Sequence, residues 1–407
     1  MKFLYRLIVP ILIAVLILFG VYQVKAQSGI EMELSASYKF GEQVTFTAKL
    51  KSPVQVQKAS ILIYDTTQAI SHVLPVTFDQ NGISEFRFDT MQNILRPFTT
   101  ILWRYDLTLA DGSTMQSETR SIRYDDDRFM WRTLELDMLR VHWYNGDDEF
   151  GASALNAAQA GLESVSGLLA PNLSQPVDIF IYANENDLRG TLYGAQAWTV
   201  GHADSAAGIV MVTIAPGSNQ GILMEQRIPH ELMHVMFYRE VGEGYKNIPA
   251  WFREGMSVLA EVYPSPDYDN YLKDASARDA LIPIKDLCAS FSPRIDSAFL
   301  AYAESRSFTN YLRGVYGSDG LLNLANVYAN GVDCEHGTER AFGVSLAKLE
   351  RDWRTTVLGQ TGVLSTLGKF TPYLALLCLV VFFPALSIFN SMRKKDVRHE
   401  PETYAGR

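Results

Sequence analysis

The sequence predicts an α+β protein in which an all-β first half is followed by a domain where strands give way to helices. Three observations carry that class. Residues 30–124 alternate apolar and polar side chains with turn signals every eight to twelve residues. Residues 177–182 and 208–214 are compact apolar runs of strand length. From residue 297 onward the apolar spacing turns helical, punctuated by Gly317, Gly331 and Gly343.

The chain has 407 residues, room for two domains plus tethers. Its net charge is −9 and its central region holds no basic run. That excludes nucleic acid as a partner, because phosphate binding needs a clustered cationic surface. Three cysteines are too few for a disulfide scaffold. Cys288 and Cys334 either pair, if their domain is exported, or remain buried thiols.

Lys2 and Arg6 precede a long apolar run, and Val24-Lys25-Ala26 offers a cleavage site after Ala26. Residues 1–26 are therefore a signal peptide or an N-terminal anchor, and either one exports the central region. Residues 373–389 are uncharged and almost wholly apolar, and Arg393, Lys394, Lys395 and Arg398 come directly after. This stop-transfer pattern predicts a C-terminal transmembrane helix over 371–390 and a cytoplasmic tail over 391–407. The expected location is the cell membrane, with a membrane-embedded chain whose central region is extracytoplasmic.

In the first half, segments such as 44–48, 59–64 and 100–105 read as strands. Asn81-Gly82 and Asp111-Gly112 read as hairpin turns. About seven short strands predict an immunoglobulin-like sandwich over 30–124, a spacer or docking module with nothing catalytic in it. The acids at 125–127 read as a solvated linker turn. Beyond it, 133–136 and 139–144 alternate like paired strands, and 150–169 is a helix rich in Ala and Leu. The run 207–213 is expected to be the sheet edge along which an extended substrate pairs. Helices are expected over 297–315, 318–330, 335–342 and 345–358.

The chemistry concentrates at 229–261. His230-Glu231-Leu232-Met233-His234 puts two imidazoles one turn apart on one helix face. Glu231 stands beside them, placed to polarise a water. Glu254 follows His234 by twenty residues, in a second helix over 250–262 that opens after Pro249. Two imidazoles, one carboxylate and an open fourth position describe a catalytic Zn2+ site.

HELMH, then PAWFREGMSVLAE and AYAESRSFTNYLRGVYG, resembles the peptidase MA-like group of gluzincin zinc metallopeptidases, whose better-known members are thermolysin and the aminopeptidase N-like enzymes. The similarity covers about residues 129–358. It implies a zincin-like metallopeptidase domain there, with zinc bound by His230, His234 and Glu254, and Glu231 as general base. The His234–Glu254 spacing matches the thermolysin arrangement more closely than the aminopeptidase one. The resemblance also implies an oxyanion donor, for which Tyr302 is the candidate and His202 and His336 the alternatives. In thermolysin-like members an acid one turn after the ligand glutamate orients a zinc histidine; here that position is Val258, and Glu261 is the nearest acid. The peptide-amine-binding motif of the aminopeptidase-like members is absent.

The function expected is zinc-dependent hydrolysis of a peptide or protein substrate. The alternative is a catalytically inactive zincin-like binding or scaffold protein at the cell surface.

Overall fold

The computed structural model describes residues 31–360, apart from 53, 66–70, 170–173, 193, 195–198 and 293, together with parts of 371–388. The chain divides into two compact units, Met1–Gln159 with Leu173–Glu231, and Ala160–Asn172 with Leu232–Arg407.

The first unit opens with eight strands: β1 (Met32–Lys39), β2 (Gln43–Leu50), β3 (Val56–Asp65), β4 (Ser71–Val76), β5 (Ile83–Asp89), β6 (Thr99–Leu109), β7 (Thr114–Gln116) and β8 (Arg120–Tyr124). They form two antiparallel sheets, β1-β2-β5 and β4-β3-β6-β7, with β8 also paired to β6. Period-two alternation gives each sheet one apolar face. Phe46, Ala48 and Phe88 of one sheet share a single core with Ile61, Ile63, Trp103 and Tyr105 of the other.

A third sheet has the order β12-β13-β11-β10-β9. Its strands are β9 (Arg132–Leu136), β10 (Leu139–Trp143), β11 (Val177–Tyr182), β12 (Gly201–Asp204) and β13 (Ile209–Thr213). Its centre is parallel, β10 to β11 and β11 to β13, while both outer strands run antiparallel to their neighbours. The parallel strands are joined by crossover segments, one containing helix α1 (Asp148–Ser166) and the other α2 (Glu185–Arg189).

Two features join the first eight strands to this sheet. Phe98 enters the core formed by Phe180, Tyr182, Ile209 and Met211, stacking on Phe180. Arg96 bridges Asp65 at 2.9 Å and Asp204 at 2.7 Å. Of the acids at 125–127, Asp127 is exposed and opens a turn, as expected of a solvated linker, but Asp126 is not solvated. Asp126 is fully buried, accepting hydrogen bonds from Arg128, Tyr182 and Thr191. A charge at that depth is tolerated because its lone pairs are satisfied.

Helix α3 (Gln220–Val241) comes after the sheet. Pro229 lies inside it, where the missing N–H removes one backbone bond just before His230. A 3-10 turn, Gly242–Asn247, leads to α4 (Ala250–Ala260), which Pro249 caps. Then come α5 (Asp267–Ala277), a long α6 (Ile295–Ala329), α7 (Cys334–Phe342) and α8 (Leu346–Thr356). The two helices expected over 297–315 and 318–330 run together as α6 across a break at Gly317, where φ is 73°.

Helix α4 lies very close to α6. A Cβ on Gly255 would stand 2.2 Å from Thr309 Oγ1 and 2.5 Å from the Ser305 carbonyl, so only glycine permits this approach. Cys288 and Cys334 are disulfide-bonded, and the Cys288 carbonyl accepts the first backbone N–H of α4, from Ala250, at 3.0 Å.

The C-terminal transmembrane helix expected over 371–390 is not supported. Among the described residues no helix is long and apolar enough to cross a membrane. The 1–26 leader and the 391–407 tail lie outside the described residues.

Candidate metal centre

Three elements build the site: α3, the 3-10 turn after it, and α4. Leu232, Met233, Val235, Met236 and Phe237 of α3 are fully buried, which fixes the helix rotation and leaves His230 and His234 on the remaining face. Trp251, Phe252, Met256 and Val258 bury α4 in the same way and set the direction of Glu254.

His230, His234 and Glu254 each offer one ligand atom, and these atoms all lie within 4.8 Å of one another. His234 Nε2 and Glu254 Oε2 are 3.5 Å apart. Tetrahedral zinc with ligand bonds of about 2.0–2.2 Å needs ligand atoms roughly 3.3–3.6 Å apart. The His234–Glu254 separation falls in that range, and the three residues form a group that could hold a metal ion.

The carboxylate of Glu231 is nearly buried, at 9% exposure, and packs against the backbone of β12. A Cβ on Gly201 would stand 2.4 Å from Glu231 Oε1. The bare backbone at Gly201 is what leaves room for this carboxylate beside the histidines.

Hydrogen bonds hold two of these three residues from behind. His234 Nδ1 is 2.7 Å from the Tyr245 hydroxyl and 3.2 Å from Ser257 Oγ. Arg253 Nε donates to Glu254 Oε1 at 3.3 Å, leaving Oε2 as the oxygen nearer His234. Tyr245, Arg253, Ser257 and Gly201 were not singled out by the sequence. Only Arg253, adjacent to Glu254, carried any local signal.

Val258 is fully buried, so no acid occupies the position one turn after Glu254. Glu261 caps the end of α4 and accepts from the Tyr268 hydroxyl at 3.4 Å. Burial pushes the Tyr268 phenol well above its usual range, and the Glu261 charge adds to this.

Tyr302 stands half-buried on α6 with its ring edge-on to Phe291. His336 belongs to the N-terminus of α7, where Asp333 accepts from its backbone and lies 2.9 Å from its ring; that carboxylate raises the imidazole pKa. His202 is exposed on β12.

The expected substrate edge at 207–213 is overturned. β13 is hydrogen-bonded on both sides, to β11 and to β12, so its main chain is already used. Among the described residues the outer strand on this side is β12, at Gly201–Asp204.

Residues 157–359 match the family model described as the Peptidase MA superfamily. The chain carries a peptidase MA-like domain. Both histidines, Glu231 and Glu254 fall inside the matched span, and a domain of this superfamily suggests hydrolase activity. No curated protein matches the sequence.

Among solved structures, a myokine is similar at 9% identity, covering 24% of this chain and 99% of that one, with a TM-score of 0.20. OgpA from Akkermansia muciniphila is similar at 21% identity, covering 24% of this chain and 28% of that one, with a TM-score of 0.19. A polysaccharide deacetylase from Bacillus cereus is similar at 9% identity, covering 39% and 53%, with a TM-score of 0.21. This chain thus spans about a quarter and about half the length of the latter two, and overlaps of this quality assign it no activity.

Proposed function

We propose that the peptidase MA-like domain is a zinc-dependent peptidase acting on peptide or protein substrates. The observation that carries the reading is the convergence of His230, His234 and Glu254, with Glu231 on the same helix packed against Gly201. A bound zinc ion supplies Lewis acidity and lowers the pKa of water toward neutrality.

The protein's own groups divide the remaining work. His230 and His234 present ring nitrogens, and Arg253 holds Glu254 so that Oε2 faces His234. Glu231 takes the proton of the attacking water on its carboxylate and passes it to the leaving amine nitrogen. Gly201 belongs to a strand edge, which offers backbone donors and acceptors to an extended substrate beside Glu231. Tyr302 is assigned here as the donor to the developing oxyanion, a role worth a few kcal/mol in such sites.

An extracytoplasmic setting accompanies this reading, supported by the Cys288–Cys334 disulfide, since such bonds persist in oxidising compartments.

The deciding experiment measures zinc stoichiometry together with digestion of a mixed peptide library. About one zinc per chain with metal-dependent cleavage is expected. Stoichiometric metal with no cleavage of any peptide would overturn the peptidase reading in favour of a binding role.

A further inference from the structure

We infer that Tyr245 is a positioning residue for His234, supplying from the 3-10 turn the orienting contact that Val258 cannot. The inference rests on the metallopeptidase reading above and assigns a residue that the metal-ligand pattern does not contain.

The Tyr245 contact falls on one ring nitrogen of His234. The Tyr245 hydroxyl lies 2.7 Å from His234 Nδ1, the shorter of the two contacts at that atom. Ser257 Oγ makes the longer one and also lies 3.4 Å from Nε2, so it does not discriminate between the two ring nitrogens. In the proposed role Tyr245 accepts from Nδ1–H, which frees the Nε2 lone pair on the side where Glu254 Oε2 stands 3.5 Å away.

Tyr245 is itself held. Its ring meets Phe237 and Tyr238 edge-on at 5.8 and 6.1 Å. The Arg253 guanidinium sits 5.7 Å from its ring centroid while binding Glu254 through Nε. One tyrosine therefore touches His234 directly and Glu254 through Arg253. A neutral phenol accepts this proton without the extra negative charge that a carboxylate would bring behind the imidazole, and it leaves Val258 free to pack in the apolar core.

Tyr245→Phe keeps the ring contacts and removes only the oxygen. The test titrates zinc into the intact chain against a chromogenic chelator, with wild type, Y245F and Ser257→Ala in parallel. Loss of an outer partner of a ligating histidine typically weakens metal binding about ten- to a hundredfold, and Y245F is expected in that range, with S257A weaker in effect. The melting temperature of metal-free Y245F should stay close to wild type.

Nitrogen NMR of the metal-free proteins provides a readout that packing alone would not move. His234 is expected as the Nδ1–H tautomer in wild type, with a shift toward Nε2–H in Y245F. Wild type binding zinc while Y245F binds equally well with the same tautomer would overturn this inference alone, as would a larger loss in S257A than in Y245F. Failure of wild type itself to bind zinc would overturn the metallopeptidase reading.

Discussion

The Glu231 carboxylate occupies the space that any side chain at residue 201 would need. A Cβ at Gly201 would come within 2.4 Å of Oε1 and 3.0 Å of the carboxyl carbon. Glu231 and the edge strand are therefore placed together, and the size of residue 201 controls where this carboxylate can stand.

Gly201→Ala should push the Glu231 carboxylate aside while leaving the metal group intact. Displacements of about 1 Å at a reacting group cost roughly a hundredfold in rate. A drop in kcat of about ten- to a hundredfold with unchanged zinc content is expected. Unchanged kcat in a folded G201A protein would show that Glu231 relaxes without consequence.

Glu231→Gln retains the shape of the side chain and removes its basicity. Zinc should remain at about one per chain, and peptide cleavage should fall by about 10²–10⁴-fold. Metal analysis and a fluorogenic peptide assay on the same preparation read both quantities. Wild-type turnover in E231Q would remove the assigned base.

Glu304 on α6 is fully buried, and burial raises its carboxyl to about 8. Its Oε1 accepts from the Ile282 backbone at 2.9 Å, while Oε2 has no hydrogen-bond partner among the described residues. The folded state holds this proton more tightly than the unfolded state, whose value is near 4.5. Below about pH 4.5 both states are protonated and the group costs nothing. Between that pH and about 8 the unfolded chain ionises first, so this group lowers stability at up to about 1.4 kcal/mol per pH unit. Denaturation of Glu304→Gln across pH 5–9 should show this decline removed, with the variant gaining on wild type as pH rises. Parallel curves for the two proteins would refute the assignment.

The Cys288–Cys334 bond closes a sequence separation of 46 residues and steadies the carbonyl that receives the first N–H of α4. In the chain-entropy account such a loop contributes about 4 kcal/mol. Replacing both cysteines with serine should lower the denaturation midpoint of the second unit accordingly. Because α4 carries Glu254, zinc affinity should fall as well, which chelator competition would register. Equal stability and affinity in the double variant would show the bond to be dispensable.

The residues differ in how far each could be read before folding. His230 and His234 are four apart, and any α-helix places such a pair on one face, so their convergence needed only local periodicity. Pro249 and the glycines at 242 and 244 marked the turn between α3 and α4, and with it the return of Glu254. The strands β1 to β8 were legible for the same reason, since alternation is a property of neighbouring residues. β12 was not: Gly201-His202-Ala203-Asp204 has no apolar alternation, and only pairing with β13 makes it a strand. The apolar run at 373–389 matched a membrane-span pattern, yet among the described residues no helix is long and apolar enough to cross a membrane.

By itself, the sequence determined that His230 and His234 share a helix face, that Glu254 follows on a second helix, and the order of β-rich and helical regions, because each depends on spacing along the chain. Tertiary structure alone decided that Gly201 borders Glu231, that Cys288 meets Cys334, that Asp126 is buried, and that the Tyr245 hydroxyl meets His234 Nδ1. These contacts join residues that only packing brings together: 30 positions apart for Gly201 and Glu231, and 46 for the cysteines. Packing depends on volumes and orientations that no local pattern encodes.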